Sequence, residues 1–202
     1  MGAPGIILEW IANGVNFQPT HTIPTFYHKQ ITHEPDARAY WHSRLKPHYI
    51  GSGAIRAIPP PPPHETYVSK CFFVPKSSGG FRLVVDLRTV NEHFAEHKVK
   101  FENLAMLRFA HTDLTYGAKV DLSDAYHHIA LHPSIRKFFQ FQIDGEFFEC
   151  VAIPFGWSLA PYVFTKFTRP ILTAMRYPHL AQEGQFVGTI GNATWHATDY
   201  YI

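Results

Sequence analysis

Apolar runs and polar breaks divide the chain into a strand-rich middle flanked by less regular ends. Val68 to Pro75 and Phe81 to Leu87 are β-branched and aromatic runs, and Lys76-Ser-Ser-Gly-Gly80 between them predicts a hairpin turning at the glycines. Phe138 to Ile143 and Phe147 to Ile153 predict a second hairpin about Asp144-Gly145. Ala118 to Leu122 predicts a short buried strand, with Ser123 as N-cap and Asp124 in the first turn of a helix running through Ile129. Phe101 to Ala110 is patterned as a short amphipathic helix. Ser158 is placed to cap a last helix from about Leu159 to Met175, with Pro161 tolerated in its first turn.

Upstream, Glu34 to Tyr49 places Ala37, Tyr40, Trp41, Leu45 and Tyr49 at helical spacing before a Gly51 stop, and Pro47 is expected to bend or end that docking helix early. Residues 1–33, rich in Pro, Thr, Asn and Gly, predict an extended arm rather than a core element. Pro59 to Pro63 predicts extended polyproline, read as a stiff spacer because no flanking arginine pattern supports an SH3 ligand. No internal repeat interrupts this order.

The 202 residues are 46% hydrophobic and 15% aromatic, enough for one packed domain with an extension. A formal charge of +2 is too small to imply nucleic-acid binding by itself. Cys71 and Cys150 both fall in apolar runs, so buried free thiols and an intracellular location, cytoplasm or nucleus, are expected. No apolar run approaches the roughly 20 residues of a membrane span, and no membrane partner is expected. The fourteen histidines include no His-Glu-x-x-His, and the chain has no Cys-x-x-Cys, which leaves a zinc site without support.

The densest chemistry lies in Lys119-Val-Asp-Leu-Ser-Asp-Ala-Tyr-His-His-Ile129 and Ile153-Pro-Phe-Gly-Trp-Ser-Leu-Ala-Pro161. A strand delivering a lone carboxylate, Asp121, beside the Leu122 carbonyl is half of a site for a divalent ion, though Asp121 reads equally as a turn residue. Asp124 reads more simply as a favourable charge at a helix N-terminus, and Tyr126 as a core tyrosine. Lys76 and Arg82 flank the glycine turn, a point charge and a fork suited to closing over a triphosphate; alone, they would equally be solvated cations.

In sequence order, Val74-Pro-Lys-Ser-Ser-Gly-Gly-Phe-Arg-Leu-Val-Val-Asp-Leu-Arg-Thr-Val-Asn91 resembles the fingers hairpin of retroelement reverse transcriptases. Lys119 to Tyr126 resembles the family's first palm motif, Leu131 to Gln142 its continuation, and Ile153 to Phe164 the Pro-Phe-Gly turn that enters the next helix. The resemblance covers about residues 53–176. It implies an α+β fold, the fingers and an incomplete palm of a right-hand polymerase, and RNA-templated DNA synthesis with Mg²⁺ or Mn²⁺ on an RNA template, a DNA primer and deoxynucleoside triphosphates. It further implies that Asp121 is the catalytic metal ligand and that Lys76 and Arg82 contact the triphosphate. Asp124, Ala125 and Tyr126 belong to the nucleotide site, with Tyr126 under the sugar to exclude a ribose 2′-OH. Phe155 and Gly156 line the nucleotide and template side, while Asp86, Arg88 and Asn91 support the fingers.

Trp10-Ile-Ala-Asn-Gly14, Gly53-Ala-Ile55, Val68 to Val74 and the Pro-Phe-Gly turn look most like elements of the DIRS or gypsy type. The resemblance departs from the family after the last predicted helix. No aromatic-x-Asp-Asp follows, and Asp199 is the sole aspartate from Tyr177 to Ile202. The expected organisation is therefore a 1–52 extension with a docking helix, a 53–176 fingers and palm region, and a divergent 177–202 tail. A chain truncated before the second acid motif is expected to bind metal weakly and lack the activity. It is also expected to self-associate through an exposed palm edge.

Overall fold

The computed structural model describes residues 5–99 and 122–176. The expected helix 101–110, the strand residues 118–121 with Asp121, and the tail with Asp199 lie outside the described residues. The architecture is α+β, as expected. Helix α1 (Gly5–Asn13) leads to strand β1 (Phe26–Tyr27), then α2 (Pro35–Tyr40), a π-helical turn (Trp41–Leu45) and α3 (Lys46–Gly51). Strands β2 (Ile55–Ile58), β3 (Tyr67–Ser69), β4 (Cys71–Pro75) and β5 (Phe81–Val85) precede α4 (Arg88–Asn91). After a 3₁₀ turn (Ala125–His128) come α5 (Pro133–Arg136), β6 (Gln140–Ile143), β7 (Glu146–Cys150) and α6 (Ala160–Arg176).

Five strands form one sheet in the order β1-β3-β6-β7-β2, parallel from β1 to β6 and antiparallel beyond. Strands β4 and β5 form a separate hairpin in which Val74 faces Arg82 and Pro75 faces Phe81. The expected single strand from Val68 to Pro75 is therefore two strands, broken at Lys70, whose carbonyl accepts from the Asp86 N–H at 2.9 Å. Both predicted turns form: Gly79 and Gly80 adopt φ 91° and 77°, and Asp144-Gly145 adopt φ 52° and 83° as a tight two-residue hairpin requires. The strand expected to reach Ile153 ends at Cys150 and continues as a bridge from Ala152 to Ala130. Polyproline holds at Pro62 (φ −66°, ψ 153°), but Pro63 opens a 3₁₀ turn, Pro63–Glu65.

The N-terminal arm is the largest correction. Residues 5–13 are helical, Ile7 and Trp10 are buried, and Trp10 stacks on Phe167 of α6 at 5.9 Å. Gly14, at φ 85°, takes a bond to the Trp10 carbonyl, after which Val15 bridges to Leu131. A Cβ at Gly14 would stand 2.7 Å from the Leu131 carbonyl carbon, so only glycine admits this approach.

Of the two outcomes expected for the docking helix at Pro47, a bend or an end, the end does not occur. The π turn lets the Lys46 N–H reach back to the Trp41 carbonyl, shifting the bonding register immediately before the proline that lacks a donor. Helix α3 runs to Gly51, and the left-handed residue that turns the chain is Gly53, φ 73°. Trp41 is fully buried against Phe73, Phe141 and Phe148. Arg38 and His42 both hold Asp144, and Lys46 holds Glu146, fixing this helical stretch to the β6–β7 turn. Cys71 and Cys150 are buried free thiols. No helix among the described residues is long and apolar enough to cross a membrane.

Candidate nucleotide site

Two turns approach one another beside the β4–β5 hairpin. In the first, Asp124 adopts a left-handed conformation (φ 51°, ψ 38°) and its carbonyl accepts from the His127 N–H at 2.7 Å. The sequence expectation of an α-helix capped by Ser123 is corrected here. The segment is a single 3₁₀ turn with Asp124 at its N-cap, and the Ser123 carbonyl instead faces His128 Nε2 at 3.1 Å. Leu122, just ahead, is half exposed rather than buried. Tyr126 points into the space between the turns, its ring 5.0 Å from Phe155 and 5.5 Å from Phe164. Burial pushes its hydroxyl pKa up.

The second turn is Pro154-Phe-Gly156. Gly156 is at φ 94°, and a Cβ there would meet the Val85 carbonyl at 3.4 Å. Asn91, the last residue of α4, fixes the turn from the side: its Nδ2 donates to the Gly156 carbonyl at 2.8 Å and its Oδ1 accepts from the Ser158 N–H at 2.9 Å. Phe155 is left 41% exposed beside Tyr126, while Trp157 is buried. Asp86 and Arg88 pair bidentately at 2.7 and 2.9 Å. The Arg88 bond, working against burial, holds the Asp86 carboxyl well below the usual range.

Behind the turns stands the end of α3. His48 Nε2 lies 2.8 Å from Asp124 Oδ2, Tyr49 packs edge-on against His127 at 5.3 Å, and His127 packs on Phe155 at 5.4 Å. Burial is the first cause lowering the His127 pKa, and the Asp124 charge opposes it. Burial likewise raises the Tyr49 hydroxyl, with the Asp124 charge adding and Arg82 opposing. A cavity of about 30 Å³ lies between Tyr49, Leu83, Val85, His127 and Phe155. His48 carried no signal in the sequence, and Tyr49 stood out only as an apolar-face position of the docking helix.

Lys76 and Arg82 are both exposed on the hairpin, and among the described residues neither forms an ion pair. The Lys76 N–H bonds the Gly80 carbonyl, and the hairpin rests on α2 through Tyr40 and Phe81, 5.7 Å apart. The structure thus brings Asp124, Ala125, Tyr126, Phe155 and Gly156 into one wall. It shows no contact from Lys76 to that wall. Asp121 lies outside the described residues, among which no group of three or more His, Cys, Asp or Glu could hold a metal ion. A wider groove, about 570 Å³, runs past Lys29, Lys70, Asp86, Arg88 and Glu92.

A family model described as reverse transcriptase (RNA-dependent DNA polymerase) matches residues 74–187, more than half of the chain. The Tf2-7 and Tf2-3 transposon polyproteins of Schizosaccharomyces pombe (strain 972 / ATCC 24843) are each 30% identical over 108 residues. That stretch is 54% of this chain and 8% of each polyprotein, so the chain spans a small part of these relatives. Among solved structures, native prototype foamy virus protease-reverse transcriptase aligns with a TM-score of 0.64 at 20% identity, over 76% of this chain and 20% of that one. The foamy viral protease-reverse transcriptase in complex with dsDNA aligns with a TM-score of 0.62 at 16% identity, over 78% and 31%. At these identities the likeness is one of fold.

Proposed function

Because this chain belongs to the reverse transcriptase (RNA-dependent DNA polymerase) family, we propose that it is a fingers and palm portion of a retroelement polyprotein of the DIRS or gypsy type, whose family reaction is RNA-templated DNA synthesis. Residues 53–176 are the working unit, 1–52 brace it, and 177–202 form a divergent tail. The observation that carries the reading is the wall of Tyr126 and exposed Phe155, held by Asn91 and flanked by the Asp124 turn. An aromatic pair with one exposed ring suits a nucleoside, and Lys76 and Arg82 supply cations for its phosphates.

In this reading Tyr126 lies under the sugar and excludes a 2′-OH, Ala125 and Asp124 border the triphosphate, and Phe155 and Gly156 face the base and template. Asp121, with the Leu122 carbonyl, offers the hard oxygen donors that Mg²⁺ or Mn²⁺ takes, and such an ion would offset phosphate charge. The RNA template and DNA primer would run along the fingers, where Lys29, Lys70 and Arg88 border the wide groove. Self-association would use a sheet edge of the kind β2 presents, which among the described residues pairs on one side only. Two buried free thiols accord with an intracellular, reducing setting.

A second reading, a non-catalytic nucleotide- or nucleic-acid-binding module, rests on the same aromatic pair and exposed hairpin cations without requiring the metal chemistry. Primer extension on an RNA template with Mg²⁺ or Mn²⁺ separates the two. Incorporation that Asp121→Ala abolishes establishes the polymerase. Template-primer binding without incorporation establishes the module, and neither binding nor incorporation defeats both.

A further inference from the structure

We propose that His48 is a positioning residue for the nucleotide pocket, fixing the Asp124–Tyr126 turn from the end of α3; this rests on the nucleotide-site reading above. Asp124 is a non-glycine residue in the left-handed region, a conformation that needs support from its surroundings. Its carboxylate can only accept, so the hydrogen in the 2.8 Å contact lies on His48 Nε2. Among the described residues no other side chain bonds that carboxylate.

The post that delivers the imidazole is firm. Trp41 anchors the helical stretch in the core, and Arg38, His42 and Lys46 tie it to Asp144 and Glu146. The residue after His48 braces the same turn a second time, since Tyr49 packs on His127, which in turn packs on Phe155. The contact also has an electrostatic consequence. A carboxylate beside a bound triphosphate repels it, and holding the Asp124 carboxylate against His48 draws that charge away from the phosphates and leaves the Ala125–Tyr126 backbone facing them. Releasing it would both admit the repulsion and let Tyr126 drift from the position in which it screens the sugar.

The test is binding of Mg²⁺·dGTP and Mg²⁺·GTP to the full chain by calorimetry, for the wild type, His48→Ala, His48→Gln, Asp124→Ala and the His48→Ala/Asp124→Ala double variant, with melting temperatures in parallel. His48→Ala is expected to weaken dGTP binding about three- to fivefold, the weight of one exposed charge-assisted contact, and to lower the preference for dGTP over GTP. His48→Gln, which keeps an N–H within reach, should recover most of both. In the Asp124→Ala background the His48 substitution should change nothing further. An unchanged affinity and preference in a folded His48→Ala, or an equal loss in the Asp124→Ala background, overturns the role of His48 alone. A wild-type chain that binds neither nucleotide overturns the nucleotide-site reading itself.

Discussion

The Asn91 carboxamide uses both its ends on the Pro-Phe-Gly turn, donating to Gly156 and accepting from Ser158. Losing a bond of this kind costs about 0.5–1.5 kcal/mol, and more when a partner is left without water. Asn91→Ala should therefore lower unfolding free energy by roughly 1–3 kcal/mol in urea titration. Asn91→Asp keeps the acceptor for Ser158 but cannot donate to Gly156, and should fall between. Equal stability in all three proteins would show that the turn holds itself. The two thiols give a pH signature. Burial pushes Cys71 and Cys150 up to about 12, against about 8.5 for a free thiol. The native state keeps its protons where the unfolded state loses them, so their stabilising effect is full below about pH 8.5 and declines as pH rises toward 12. Native protein should resist a thiol-reactive dye at pH 8 and react fully in denaturant; rapid native labelling would contradict the burial.

Elements differ in how openly the sequence declares them. Both hairpins were legible because their turns need glycine or a two-residue Asp-Gly at fixed places, which is a local requirement. Helix α1 was not. Ile6, Leu8 and Ile11 are exposed while Ile7 and Trp10 are buried, so apolar residues occupy every face and no helical period stands out. The usable signal was Gly14, a C-terminal stop after an apolar run. The Asp124 turn was misread for a different reason: Ser-Asp ahead of apolar residues has the composition of a helix start, but contacts from His48, 76 residues earlier, accompany a 3₁₀ turn instead. Within the candidate site, family motifs announced Tyr126, Phe155 and Gly156, while the helix end behind them depends on tertiary packing alone. The α1 junction is testable through Gly14→Ala. Left-handed backbone costs a non-glycine residue about 1–2 kcal/mol, and the Cβ overlap with Leu131 adds to it. A loss of at least about 2 kcal/mol is expected in thermal or urea unfolding, and a neutral outcome would detach α1 from the folded core.

At the scale of the whole molecule, charge constrains how nucleic acid could be held. The net charge is +2, so no broad positive field draws a polyanion from a distance. Attraction falls to local cations, of which the described candidates at the site and groove are Lys76 and Arg82 on the hairpin, and Lys29, Lys70 and Arg88 along the groove, where Asp86 pairs with Arg88 and lies 3.6 Å from Lys70. That partial neutralisation leaves about two to four phosphate contacts, and each releases roughly 0.7–0.9 counterion. Binding of a short RNA template annealed to a DNA primer should accordingly weaken with salt along a log–log slope of about −1.5 to −3.5. Replacing Lys76 and Arg82 by alanine should make the slope shallower by about 1.5 if both touch phosphate. Fluorescence anisotropy across a salt series reads both quantities. A slope steeper than about −6 would require a basic surface beyond these five side chains, and an unchanged slope in the double variant would move the phosphates off the hairpin and onto the groove.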